Sequence, residues 1–225
     1  MALVPNTIDV DAYSTVEPSE DARVLYLAGM DWLPNQDAVK YFIGDILPTL
    51  KIAVPNVKFT VAFSPEHAPP RRFRERFAHI AGVDFVETHN VRAEFGQAAV
   101  LVVPLRVGSG TRFKILEAGA MAIPTVSTRI GAEGLDFRNG QEIFLEDDPQ
   151  RFAAVTARLL RDSSLRRAMG SAARARVERQ YGFNVLRNTL AEAVGRAVGT
   201  SGFVQMDENT STGRSAATVL LSEPH

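Results

Sequence analysis

Predominantly apolar runs of strand length, separated by segments whose apolar residues recur at helical spacing, constrain this chain more than any other feature. The runs are VLYL at 24–27, VKFTVAF at 57–63, VDFV at 83–86, AVLVVP at 99–104, PTVS at 124–127 and EIFL at 142–145. A helix is expected after the first run, opened by Pro34-Asn35 and carrying Val39, Phe42, Ile43, Ile46, Leu47 and Leu50 on one face. Further helices are expected through Phe73, Phe77 and Ile80, over a short stretch at 93–96, and through Phe113, Leu116 and Ala120. Strands that are apolar throughout are covered on both faces, and their alternation with helices implies parallel pairing. The predicted fold class is therefore α/β: a doubly wound, Rossmann-like parallel sheet of about six strands, in the usual order 3-2-1-4-5-6. Past Leu145 the strands stop and three helices follow, through Phe152, Val155 and Leu159, over 164–180, and through Leu186, Leu190 and Val194. The expected divisions are a linker segment at 1–22, the sheet domain with its C-terminal helices at 23–198, and a disordered Ser/Thr/Gly-rich tail at 199–225.

Charge and composition remove several function classes. Lys and Arg number 25 against 26 Asp and Glu, so no global field favours nucleic acid or anionic lipid, and any anion site has to be local. The chain has no Cys, which excludes disulfides and thiolate metal sites, and its four His residues lack ligand-like spacing, so no metal is expected. No apolar run approaches the roughly 18 residues of a membrane helix. The opening MALVPNTIDVD lacks a basic segment leading into an apolar one. The expectation is a cytoplasmic protein without a transmembrane segment, with peripheral association at the inner membrane as a variant.

The richest chemistry lies in 104–117, PLRVGSGTRFKILE, where a strand ends, a glycine loop turns and a helix starts. In open parallel sheets, ligands bind at the carboxyl ends of strands where strand order reverses. The expected order sets the loop after the first strand, with Gly29, across a crevice from the loop holding Gly108 and Gly110. Those glycines permit positive φ and close backbone approach, and the first amides of the following helix face the crevice. That is a phosphate cradle. Arg112 and Lys114 add positive charge, Ser109 and Thr111 can donate hydrogen bonds, and Glu117 suits the vicinal hydroxyls of a ribose. A glycine turn with solvated charges would give a similar string.

The block 108–135, GSGTRFKILEAGAMAIPTVSTRIGAEGL, resembles the signature region of group 1 glycosyltransferases of the two-domain GT-B fold. LVPNTID at 3–9 is similar to the Pro-Asn-Gly-Val-Asp segment that opens the family's C-terminal domain, and LAGMDWLPN at 27–35, VLVVP at 100–104 and the helices through Tyr181 follow in family order. The resemblance covers roughly residues 3–197 and implies one half of a GT-B fold, the half that binds a nucleotide-diphosphate sugar. Such a sugar is a substrate; no cofactor is implied. Glu117 matches the second Glu of the family's Glu-seven residues-Glu motif, which contacts the ribose. Ser109 stands where the first Glu would be, the Arg and Lys usual after the first strand are missing from 32–36, and Ser64-Pro65 and Glu87 replace two family glycines. Arg112 and Lys114 are the expected substitutes for diphosphate neutralisation, which makes Arg112, Lys114 and Glu117 the expected catalytic group. Gly29, Gly108, Ser109, Gly110 and Thr111 complete the expected donor site.

The resemblance further implies a retaining, metal-independent transfer to a glycan, polysaccharide or lipid-linked acceptor. The acceptor domain would precede residue 1, so the chain is expected to be a separately encoded subunit, a fragment or a degenerate relative. Rival readings are a non-catalytic nucleotide-sugar-binding module, an epimerase-like domain and, more remotely, a receiver-type domain. Glu133 is a minor candidate for the site's border. His89 and the arginines at 71, 72, 74 and 76 are read as exposed surface, and Trp32 with Pro34 as shaping the loop after the first strand.

Overall fold

The computed structural model describes residues 6–198 apart from Ser109 and Thr111; the predicted tail at 199–225 lies outside the described residues. The apolar runs become β1 (Arg23–Leu27), β2 (Lys58–Phe63), β3 (Val83–Glu87), β4 (Val100–Val103), β5 (Thr125–Ser127) and β6 (Phe144–Leu145). They form one sheet in the order β3-β2-β1-β4-β5-β6, every pair parallel. In β1, Val24 pairs with Phe59 on one side and Val100 on the other. Strand order reverses between β1 and β4, as expected from the alternating pattern.

Helices flank the sheet: α1 (Leu33–Tyr41), α2 (Leu47–Ala53), α3 (Arg71–Phe77), α4 (Val91–Gly96), α5 (Phe113–Ala120), α6 (Pro149–Arg161), α7 (Ser163–Tyr181) and α8 (Phe183–Val198). The single long helix expected after β1 is interrupted by a π-helical turn at Phe42–Ile46. Pro48 supplies the physical reason. A proline inside a helix has no N–H to donate and its ring collides with the carbonyl four residues back, and a π-turn is one of the ways a helix absorbs such a defect. The turn keeps Phe42, Ile43, Ile46, Leu47 and Leu50 all buried. At the far edge, the expected strand at 142–145 shortens to two residues because the backbone turns there: Gly140 donates to the Ile143 carbonyl at 2.8 Å, and the Arg138 carbonyl accepts at 2.9 Å from the amide of Glu142. Its buried carboxylate accepts from the Arg138 amide at 2.8 Å and from Arg176 Nε at 2.9 Å. Burial alone would raise the Glu142 pKa, and these donors hold it below the ordinary carboxylate value.

The C-terminal helices are tied to the sheet domain by close packing and by one buried arginine. Gly119 in α5 faces Val177 in α7, and Gly170 in α7 lies against the backbone of Ala122 just past α5. Arg166 is 1% exposed, and its Nη1 donates to the Leu159 and Leu160 carbonyls at 2.9 Å each. These belong to the last turn of α6, whose carbonyls have no partner within the helix. Arg166 Nη2 also reaches Glu20 at 2.6 Å.

The segment before β1 is packed on this body. Ile8 donates its amide to the Tyr181 carbonyl at 2.7 Å, Val16 to Met121 at 3.0 Å and Ser19 to Ala98 at 3.0 Å. Ile8 and Val10 are buried. Among the described residues no helix is long and apolar enough to cross a membrane.

Candidate functional site

A cleft of about 370 Å³ opens at the carboxyl end of the sheet, where strand order reverses. Its walls come from the end of β1 (Leu27, Ala28, Gly29), the end of β2 (Phe63, Ser64) with His67, Leu105 after β4, and the start of α5 (Arg112, Phe113, Lys114, Glu117); Trp32 and Asn35 close it. Of the residues singled out from sequence, Gly29, Arg112, Lys114 and Glu117 meet here. Gly108 stands behind them. Its φ of +121° is one that side chains rarely adopt, and a Cβ there would come 2.8 Å from the Trp32 ring and 2.9 Å from Arg112 Nη2. Gly110, with φ of +91°, faces open space, and Ser109 and Thr111 lie outside the described residues. Glu133 and His89 are exposed and take no part in the lining.

Side chains of α1 fix the loop on the β1 side. Asn35 accepts from the buried Tyr26 hydroxyl at 2.8 Å and donates to the Gly29 carbonyl at 2.7 Å. Gln36 donates to the Met30 carbonyl at 2.9 Å. Buried polar groups keep such partners because an unmade hydrogen bond costs about 1–3 kcal/mol, so both residues hold the backbone of 29–30 in one shape. The β4 side is held likewise. Arg106 grips Asp37 with two bonds at 2.6 and 3.1 Å and lies 4.6 Å over the Tyr41 ring. The Thr128 hydroxyl donates to the Leu105 carbonyl.

Two cations stand side by side at the start of α5. The Arg112 side chain is 7% exposed and sits 5.6 Å over the Trp32 ring. Part of the Lys114 chain remains accessible, but its ammonium is enclosed, 4.8 Å from the Tyr26 ring. Burial first, and then repulsion from Arg112, push the Lys114 pKa down to about 7, against the opposing pull of Glu117. Enclosed neighbouring cations are an arrangement that an anion relieves. The helix contributes in the same sense, since its first amides lack intrahelical partners and its macrodipole is positive at that end.

Glu117, one turn further along α5, is half-buried and accepts a hydrogen bond at 3.0 Å from the Tyr13 hydroxyl. The Tyr13 ring in turn carries the Arg92 guanidinium 4.4 Å from its centroid. On the opposite rim, His67 Nδ1 lies 2.9 Å from Asp31 Oδ2, and its backbone carbonyl accepts from the Met30 amide at 2.7 Å. Tyr13, His67, Asn35 and Gln36 escape a reading of sequence alone. Only the Gln36 and Asn35 positions, polar residues in the first turn of an expected helix beside a glycine loop, offered a signal.

Comparison with known proteins agrees with this fold. Residues 21–162 match the model of a family described as glycosyl transferases group 1. A curated relative, the "Uncharacterized 44.6 kDa protein in cps region" of Klebsiella pneumoniae, is 20% identical over 138 residues, which are 59% of this chain and 36% of that protein. HepE of Anabaena, solved with UDP and glucose, superposes with a TM-score of 0.65 at 14% identity over 84% of this chain and 55% of its own. The C-terminal domain of the group 1 glycosyl transferase LpcC from Francisella tularensis superposes with a TM-score of 0.58 at 14% identity, over 78% of this chain and 98% of that one. This chain thus spans about a third of its curated relative and about half of HepE.

Proposed function

The chain belongs to the group 1 glycosyl transferases, and we propose that its cleft binds the diphosphate of a nucleotide sugar and presents that sugar for transfer to an acceptor hydroxyl. The observation that carries this reading is the convergence of Arg112, which caps α5, and of Lys114 and Glu117 from its first turns on one cleft at the switch point, opposite the Gly29 loop. The roles divide by chemistry. Arg112, Lys114 and the α5 amides compensate the diphosphate; Glu117 accepts from the ribose. Transfer breaks the bond between the sugar's anomeric carbon and the diphosphate oxygen. Negative charge then accumulates on the leaving group, where fixed cations and dipoles contribute most to catalysis.

That placement of positive charge supports a metal-independent reaction, and membership of the family supports retention at the anomeric carbon. HepE was solved with UDP and glucose, which makes uridine diphosphosugars the first donors to test. The chain's share of its relatives' length supports a second domain, beyond these residues, that holds the glycan, polysaccharide or lipid-linked acceptor. We place the reaction on the cytoplasmic side, at or near the inner membrane.

Two measurements test the donor site. Trp32, the chain's single tryptophan, lines the cleft beside Arg112, so saturation with UDP-glucose should shift or quench its emission. An unchanged spectrum in a calorimetrically saturated sample would remove Trp32 from the site. The second is pH dependence. Lys114 binds phosphate only when protonated, and with a free-state pKa near 7 its protonated fraction falls about tenfold per pH unit above that value. Donor affinity should therefore decline between pH 7 and 9 with proton uptake on binding, and Lys114→Met should flatten the profile. The linked effect on folding runs the other way. Unfolded Lys114 holds its proton up to its ordinary value of 10.5 while the folded state releases it near 7, so Lys114 adds stability as pH rises through that window and removes it as pH falls through 7.

A further inference from the structure

Tyr13 belongs to a segment that sequence suggests is only a linker, yet three observations place it at the cleft. Its hydroxyl donates to Glu117 Oε1 at 3.0 Å across 104 residues of chain. Its backbone is pinned beside this contact: the Tyr13 carbonyl accepts from Arg174 Nη1 at 2.8 Å, and the Val16 amide reaches Met121 at the end of α5 at 3.0 Å. Its ring is held from the other side by Arg92, 4.4 Å from the centroid. A residue fixed at backbone, ring and hydroxyl has little freedom to leave.

We propose that Tyr13 is a positioning residue of the nucleotide site, holding one oxygen of Glu117 so that the other accepts from the hydroxyls of a ribose. A glutamate one turn into a helix has several rotamers, and ordering such a side chain costs about 1–2 kcal/mol of entropy. The Tyr13 bond meets that cost before the ligand arrives. Burial first, and then the proximity of Glu117, raise the Tyr13 pKa, so the phenol stays a donor throughout the working pH range. This inference rests on the proposed donor site, since it assigns Glu117 its ligand.

The test compares uridine, guanosine and adenosine diphosphates with their 2′,3′-dideoxy forms, measured by calorimetry on the wild-type chain and on Tyr13→Phe. The variant keeps the ring under Arg92 and removes only the hydroxyl. Wild type should prefer the ribonucleotide of at least one base. Tyr13→Phe should lower that affinity by about fivefold to tenfold, the size of one hydrogen bond, and leave the dideoxy form unchanged. Equal losses for both forms would make Tyr13 a general packing residue and overturn the proposal. So would unchanged or tighter ribonucleotide binding, which would make the Tyr13 bond a competitor of the ribose. If wild type binds none of the six nucleotides, the donor site itself falls, an outcome distinguishable because it precedes any difference between variants.

Discussion

Replacement of Arg112 and Lys114 together by Ala is expected to weaken sugar-nucleotide binding a hundredfold or more while leaving the chain folded and as stable as before. Hydrogen bonds to charged groups contribute roughly 1.5–3 kcal/mol each, so two lost contacts amount to roughly 3–6 kcal/mol, or at least two orders of magnitude in Kd. The prediction about stability follows from the same geometry. Without ligand, Lys114 is enclosed and repelled by Arg112, so relief of that repulsion offsets the packing that Arg112 loses against the Trp32 ring. A large loss of affinity at unchanged stability is the signature of groups placed for a ligand. If the two side chains served packing alone, thermal stability would fall and affinity would not.

Substitution of Gly170 by Ala should destabilise the fold by about 3 kcal/mol, even though alanine is the better helix former by about 1 kcal/mol. A Cβ at Gly170 would overlap the carbonyl oxygen of Ala122, and neither partner can yield easily because the oxygen belongs to backbone and a Cβ is fixed rigidly to its Cα. Ala122 already sits at φ of +61° to make the turn after α5. The contact lies where α7 presses on the end of α5, as does Gly119 against Val177. Movement of α5 would shift Arg112, Lys114 and Glu117 together. The variant should therefore show both an earlier urea midpoint and weaker donor binding, whereas a change below about 1 kcal/mol would mean that α7 can ride outward without disturbing the site.

How much of this was legible in sequence depends on the range of the interaction concerned. The strands were readable because most are local apolar runs and their alternation with helices implies parallel pairing; the strand order is the usual one of doubly wound sheets. Arg112, Lys114 and Glu117 were readable because they follow the glycine loop closely in sequence, at the cap and in the first turns of one short helix. The π-turn at Phe42–Ile46 was hidden because the apolar period runs through it undisturbed; only Pro48 betrayed it. Glu142 looked like the start of a strand, and nothing local announces that Arg176, 34 residues on, takes its carboxylate. Tyr13 is the extreme case, joined to Glu117 across more than a hundred residues. His67 and Asp31, on loops after different strands, are adjacent only because β1 and β2 are neighbours.

The central claim is that α5 and its two cations recognise a diphosphate, and calorimetric titration tests it most directly. Uridine, guanosine and adenosine diphosphosugars are titrated into the chain at pH 7, beside the matching nucleosides without phosphate. Saturable heat from at least one diphosphosugar, absent for its nucleoside and lost in the Arg112→Ala, Lys114→Ala double variant, is the predicted result. Equal binding of nucleoside and diphosphosugar, or no heat from any of the donors, would contradict it.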